Sequence, residues 1–63
     1  MLTPAQKILR LQDCIALLED VDAMQQVALG DTDVARDGHE RIRALIEDFE
    51  ADIAEFAEEE IKP

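Results

Sequence analysis

Residues 27–36 read VALGDTDVAR, and they predict a break between two helices near the middle of the chain. Gly30 is typical of the residue that ends an α-helix, because glycine adopts left-handed backbone angles without strain. The next three residues, Asp31, Thr32 and Asp33, all favour the N-cap position at which a helix begins. A connection of about two to five residues joins two helices as antiparallel neighbours. The sequence therefore predicts an all-α protein that forms a single helical-hairpin domain over residues 1–63, with the turn at 30–32.

The segment before this turn, about residues 4–29, has the pattern of one long helix. Thr3 suits the N-cap, Pro4 the first helical position, and Gln6 completes a capping box. An apolar stripe recurs every three or four residues, at Ile8, Leu11, Ile15 and Leu18. Further apolar residues widen it to an arc of about 200°, namely Cys14, Leu17, Val21, Met24 and Ala28. An arc this wide exceeds what one partner helix covers, so helix one is expected to contact more than one neighbour.

The segment after the turn predicts a second helix, over about residues 33–60. Its apolar residues fall in one arc of about 140° on a helical wheel, and they are Val34, Ala35, Gly38, Ile42, Leu45, Ile46, Phe49, Ile53, Phe56 and Ala57. A competing start is Asp37, whose spacing to Glu40 gives another capping box. Gly38 costs about 1 kcal/mol in a helix interior. It predicts either a local irregularity or the close approach of another helix.

The chain is short, and this predicts self-association. A chain of 63 residues buries only about 60% of its unfolded surface. Cys14 is the only cysteine and His39 the only histidine, so neither a disulfide nor a structural zinc site can compensate. We therefore expect a homodimeric, antiparallel four-helix bundle. Its expected core is Ile8, Leu11, Ile15, Leu18, Leu45, Phe49, Ile53 and Phe56.

In total length, helix lengths and turn position, the chain resembles the Rop family of plasmid copy-number regulators. The resemblance implies the bundle architecture. It does not extend to residue motifs, because the basic, RNA-facing surface of that family has no counterpart here. Helix one offers only Lys7 and Arg10 as bases. Function is therefore not carried over from the fold.

The net charge of −10 excludes several classes of partner. Nucleic-acid binders need clustered Lys and Arg to displace counterions from phosphates, and interfacial helices need them against anionic lipids. No apolar run reaches the roughly 20 residues of a membrane span, and the N-terminus lacks the core of a signal peptide. A lone cysteine, expected to be a small buried hydrophobe, fits a reducing compartment. These features predict a cytoplasmic protein without direct nucleic-acid or membrane contacts.

Acids are concentrated in helix two, where no base occurs between Ala44 and Ile61. A solvated outer face is the favoured interpretation, and a salt-adapted proteome would also explain the acidity. The functional alternative is a recognition surface for a basic protein. Acids in the last turn support that alternative, because they oppose the helix macrodipole at a cost of some tenths of a kcal/mol each. The candidate partner-binding residues are Glu47, Asp48, Glu55, Glu58, Glu59 and Glu60.

Catalytic chemistry has little support in the sequence. Acid pairs three residues apart, such as Glu47 with Glu50 and Glu55 with Glu58, resemble the Mg²⁺ ligands of all-α nucleotide pyrophosphatases. They lie off the apolar arc, however, and a metal site in a bundle needs ligands that point inward. His39 is level with Asp22 in the hairpin. A partly exposed surface histidine is favoured, and a contact with Asp22, across the hairpin or between subunits, is the alternative.

These observations predict a small, acidic, non-enzymatic protein-interaction or regulatory module that acts as a homo-oligomer. No catalytic, metal or cofactor-binding residue is expected. One alternative is a purely structural oligomerisation module. A metal-dependent hydrolase is the weaker alternative.

Overall fold

The computed structural model describes residues 1–61 and shows two helices packed against each other along their length. Helix α1 spans Pro4–Leu29 and helix α2 spans Asp33–Ile61. Together they form a rod with principal extents of 49 × 15 × 15 Å. No strand occurs in the described part of the chain. The expectation of an all-α hairpin is confirmed, and neither helix within residues 1–61 is long and apolar enough to cross a membrane.

The start of α1 is fixed by the capping box that its sequence predicts. The Gln6 backbone N–H donates to Thr3 Oγ1 at 3.2 Å, and the Thr3 backbone N–H donates to Gln6 Oε1 at 2.9 Å. These two bonds satisfy donors that the first turn of a helix leaves without an intrahelical partner. Pro4 follows at the first helical position, where its missing N–H costs nothing.

The turn is tight because Gly30 ends one helix and Thr32 begins the next. Gly30 has a φ of 64°, a left-handed conformation that glycine adopts readily, and its N–H donates to Gln26 O at 3.0 Å. Of the three candidate N-cap residues, Thr32 caps α2, because its Oγ1 accepts a hydrogen bond from the Ala35 N–H at 3.1 Å. Helix α2 therefore begins at Asp33, and the competing start at Asp37 is wrong.

The helices meet along one narrow seam. On α2 the seam residues alternate at intervals of four and three residues, at Ala35, His39, Ile42, Ile46, Phe49, Ile53 and Phe56. On α1 they are Ile8, Leu11, Ile15, Leu18, Asp22 and Gln25, all of them half-buried. Among residues 1–61, only Ala35, Ile42 and Ile46 are buried, with Ile46 just 2% exposed. The single chain therefore has a thin core, centred on Ile46.

Two apolar residues expected inside lie outside this seam. Leu45 is 47% exposed, because its neighbour Ile46 is the residue that faces α1. Cys14 is exposed, so the expectation that it is a buried hydrophobe is wrong for the single chain. Both belong to parts of the helical surfaces that a single partner helix does not reach.

The core assignment predicts unequal costs for two substitutions on α2. Ile46→Ala should lower the free energy of unfolding by about 2–5 kcal/mol, because it opens a cavity at the most buried position. The exposed Glu55, changed to Ala, should shift it by less than about 0.5 kcal/mol. Urea denaturation followed by circular dichroism measures both. Equal losses in the two variants would contradict the assigned seam.

Candidate functional site

A cluster of polar side chains interrupts the apolar seam next to the turn. It consists of Asp22, Gln25, Gln26 and His39 and is here called the polar layer. His39 Nδ1 lies 2.7 Å from Asp22 Oδ2, and the Gln26 side-chain amide donates to the same oxygen at 3.4 Å. The Asp22 side chain is only 13% exposed, whereas that of His39 is 45% exposed. The contact that the sequence left as an alternative is therefore made, across the hairpin and within one chain, by a histidine that still reaches solvent.

Gly38 lets the two helices approach closely in this layer. A Cβ atom at Gly38 would overlap Gln25 Oε1, so the amide of Gln25 occupies the space of the missing side chain. Helix α2 continues through Gly38 without a break. Of the two outcomes that the sequence left open for Gly38, the close approach is confirmed.

The polar layer lies in register with the apolar seam. Asp22 and Gln25 continue the spacing of Ile15 and Leu18 toward the turn. Asp22 Oδ1 is buried and has no hydrogen-bond partner among the described residues, which costs about 1–3 kcal/mol relative to a satisfied oxygen. A polar residue at a seam position fixes helix register at the expense of stability. The layer is thus a structural feature with a definite energetic cost.

The six candidate partner-binding acids of α2, here called the acidic surface, are all exposed. All but Glu60 fall within an arc of about 120° on the side of α2 away from the seam. The ion pairs formed among residues 1–61 lie near the turn, where Arg36 contacts Asp31 and Asp33, and Arg41 contacts Asp37. The acids from Glu47 to Glu60 are therefore concentrated in a part of the hairpin that those ion pairs do not neutralise.

A second, exposed row of apolar residues runs along α1, about 120° around the helix from the seam. It consists of Cys14, Leu17, Val21, Met24 and Ala28, and is here called the α1 stripe. Leu17 and Met24 are 64% and 67% exposed. Apolar surface of this regularity usually marks a place where another helix packs.

Two contacts show which side of the hairpin carries the α1 stripe. Gln25 meets Gly38, and the Lys7 ammonium lies 5.0 Å from the centroid of the Phe56 ring. On the wheel of α1, Lys7 and Gln25 lie between the seam and the stripe. The stripe therefore borders the side of α2 that carries Gly38. The exposed Val34 and Leu45 lie on the same side of α2.

The described residues give no metal-binding geometry. Within residues 1–61, no three His, Cys, Asp or Glu side chains converge so that they could hold a metal ion. The acid pairs Glu47 with Glu50 and Glu55 with Glu58 are exposed and do not point into the seam.

Comparison with known proteins gives no relative: no family model, no curated protein and no solved structure matches this chain. The polar layer, the acidic surface and the α1 stripe are therefore the features of this hairpin that bear on its function.

The polar layer predicts that Asp22→Leu stabilises the hairpin. Leucine would extend the apolar seam and remove the buried oxygen that has no partner. The free energy of unfolding should rise by about 1–3 kcal/mol. Asp20→Leu makes the same chemical change at an exposed position of α1 and should shift it by less than about 0.5 kcal/mol. Chemical denaturation of both variants checks this. A loss of stability in Asp22→Leu would show that the contact with His39 outweighs the cost of burial.

Proposed function

We propose that this protein is a small, acidic, non-enzymatic protein-interaction module that acts as a homodimer. The exposed α1 stripe is the observation that carries the proposal. A hairpin with three buried residues has little core, and it leaves uncovered the apolar surface that a second hairpin would bury. Two hairpins packed on each other make an antiparallel four-helix bundle, in which every helix has two neighbours.

The acidic surface is the proposed binding site for a basic partner protein. Its acids are exposed, and residues 44–61 contain no base. Glu58, Glu59 and Glu60 stand near the C-terminal end of α2, where negative charge opposes the macrodipole. Concentrated like charge attracts a basic protein over distance and speeds association. Clustered acids with exposed side chains suit that role.

A purely structural oligomerisation module is the second candidate. The α1 stripe favours it equally, since self-association alone explains an exposed apolar row. The two candidates differ only in whether the acidic surface has a partner. For either one we propose a cytoplasmic location, because a single cysteine, which has no partner in the chain for a disulfide, suits a reducing compartment.

The first prediction is self-association in solution. Analytical ultracentrifugation at micromolar concentration should show a dimer, because burial of apolar surface between copies stabilises the folded state by mass action. The melting temperature should accordingly rise with protein concentration. A cooperative, folded monomer with a concentration-independent melting temperature would refute the homodimer.

The second prediction concerns Glu59 and Glu60, and it separates the two candidates. Changing both to Gln should raise the melting temperature at low salt by about 2–8 °C, because self-repulsion and the clash with the macrodipole are relieved. The gain should shrink as salt screens these charges. If the acidic surface recognises a basic protein, the same variant should also retain less of that protein from lysate.

The matched control changes Glu19 and Glu40 to Gln. It removes the same charge from exposed glutamates outside the acidic surface. Equal retention of the basic protein by wild type and by both variants would exclude Glu59 and Glu60 from the recognition site, and retention of no basic protein by any of them would favour the structural module. A fall in stability of the Glu59→Gln, Glu60→Gln variant would contradict both candidates.

A further inference from the structure

The α1 stripe is nearly symmetric in side-chain size about its centre. From Cys14 to Ala28 it runs small, large, medium, large, small, with Val21 at its centre. The stripe is about 21 Å long at about 1.5 Å per residue. An isologous interface uses the same patch on both copies, so the patch has to match itself when it is turned around. An antiparallel arrangement with a two-fold axis near Val21 would align the whole stripe of one copy with the whole stripe of the other.

The α1 stripe and the adjacent Gln25 form a hole that can receive a side chain of a second copy. A shallow depression of about 370 Å³ is lined by Val21, Met24, Gln25, Ala28 and Leu29. The first four of these are spaced i, i+3, i+4 and i+7, the set that forms a hole in coiled-coil packing. A two-fold axis near Val21 brings Leu17 of one copy opposite this hole in the other, because both lie about four residues from the axis.

Charge at the two ends of the stripe favours an antiparallel direction for two copies packed on it. Arg10 extends the stripe at one end, eleven residues before Val21, or about 16 Å along the helix. Asp31 lies ten residues after Val21, or about 15 Å. The turn region contains two acids, Asp31 and Asp33, which share one base, Arg36, in ion pairs. An antiparallel pairing brings Arg10 level with these acids, whereas a parallel pairing would bring like charges together.

The distribution of acids on α2 limits the overlap to the half of the hairpin near the turn. The contacts of Asp22 with His39 and of Lys7 with Phe56 set the heights of the two helices. At those heights the acids from Asp52 onward lie beside about the first ten residues of the chain. With the axis near Val21, the two copies would overlap over about residues 13–29 of α1. The strongly acidic ends then project from the dimer and do not meet.

From these observations we propose that a second copy of this chain docks antiparallel on the α1 stripe, with the two-fold axis near Val21. Leu17 of each copy enters the hole formed by Val21, Met24, Gln25 and Ala28 of the other. Arg10 of each copy faces the acidic turn of the other. This inference rests on the proposed homodimer and names its surface and direction. It leaves the acidic surface accessible to a different partner.

The first test compares two leucines of α1 with matched exposure. Leu17 is 64% exposed and lies in the stripe, whereas Leu9 is 61% exposed and lies outside it. Leu17→Glu should weaken the dimer by about 100-fold or more, because a carboxylate without a partner would be buried. Leu9→Glu should leave the dissociation constant within about threefold of the wild-type value, as expected for a surface change. Ultracentrifugation gives both constants, and circular dichroism reports helicity.

The second test determines direction and does not perturb the hairpin seam. In the antiparallel dimer Cys14 faces residue 28 of the other copy, so Ala28→Cys should be captured as a covalent dimer by a short bis-maleimide. Wild type, with Cys14 alone, should not. Ala54→Cys, at an exposed position of α2, is the control and should give no covalent dimer above the wild-type level.

The outcomes separate this inference from the proposed function. A wild-type chain that is a folded monomer would refute both. A dimer that survives Leu17→Glu unchanged would keep the homodimer and exclude the α1 stripe as its surface. Efficient crosslinking of wild type through Cys14 would show a parallel dimer and overturn the proposed direction. If Leu17→Glu unfolds, absence of crosslinking in Ala28→Cys would still refute the antiparallel arrangement.

Discussion

Two helices in a hairpin can offer each other only one seam, and the rest of this structure follows from that constraint. A seam takes up an arc of about 100° on each helix. Helix α2 concentrates its apolar residues there, and three of them are buried. Helix α1 carries a much wider apolar arc and has no fully buried residue. The exposed α1 stripe is thus the direct result of a two-helix fold built from a helix suited to two neighbours.

The polar layer solves a problem that a regular seam creates. Apolar contacts that repeat every seven residues are nearly preserved when one helix slides by seven residues along the other. In this hairpin such a slip would move Asp22 from His39 to Ile46, and it would bury a carboxylate against an aliphatic side chain. The layer therefore selects one register together with the tight turn. Its cost is the buried oxygen of Asp22 that has no partner.

The two ends of the rod differ in charge, just as the different faces of its helices differ in apolar surface. Near the turn, acids and bases alternate and form ion pairs, as those of Arg36 and Arg41 show. Toward the other end of α2, the acids of the acidic surface have no basic neighbour in sequence within residues 44–61. In the proposed dimer the first region would lie within the contact between copies. The second would remain outside it, where a basic protein can approach.

Local signals in the sequence determined the elements of this fold. Thr3 with Gln6 predicted the start of α1, Gly30 its end, and the spacing of apolar residues both helices, because caps and periodicity act over a few residues. Tertiary packing decided the rest. Tertiary packing alone placed Ile46 in the seam instead of Leu45. It also left Cys14 exposed and brought His39 into contact with Asp22. Those outcomes depend on the rotation and the relative height of the two helices. A helical wheel shows which residues share a face of one helix, but it specifies neither the rotation nor the height of that helix relative to the other.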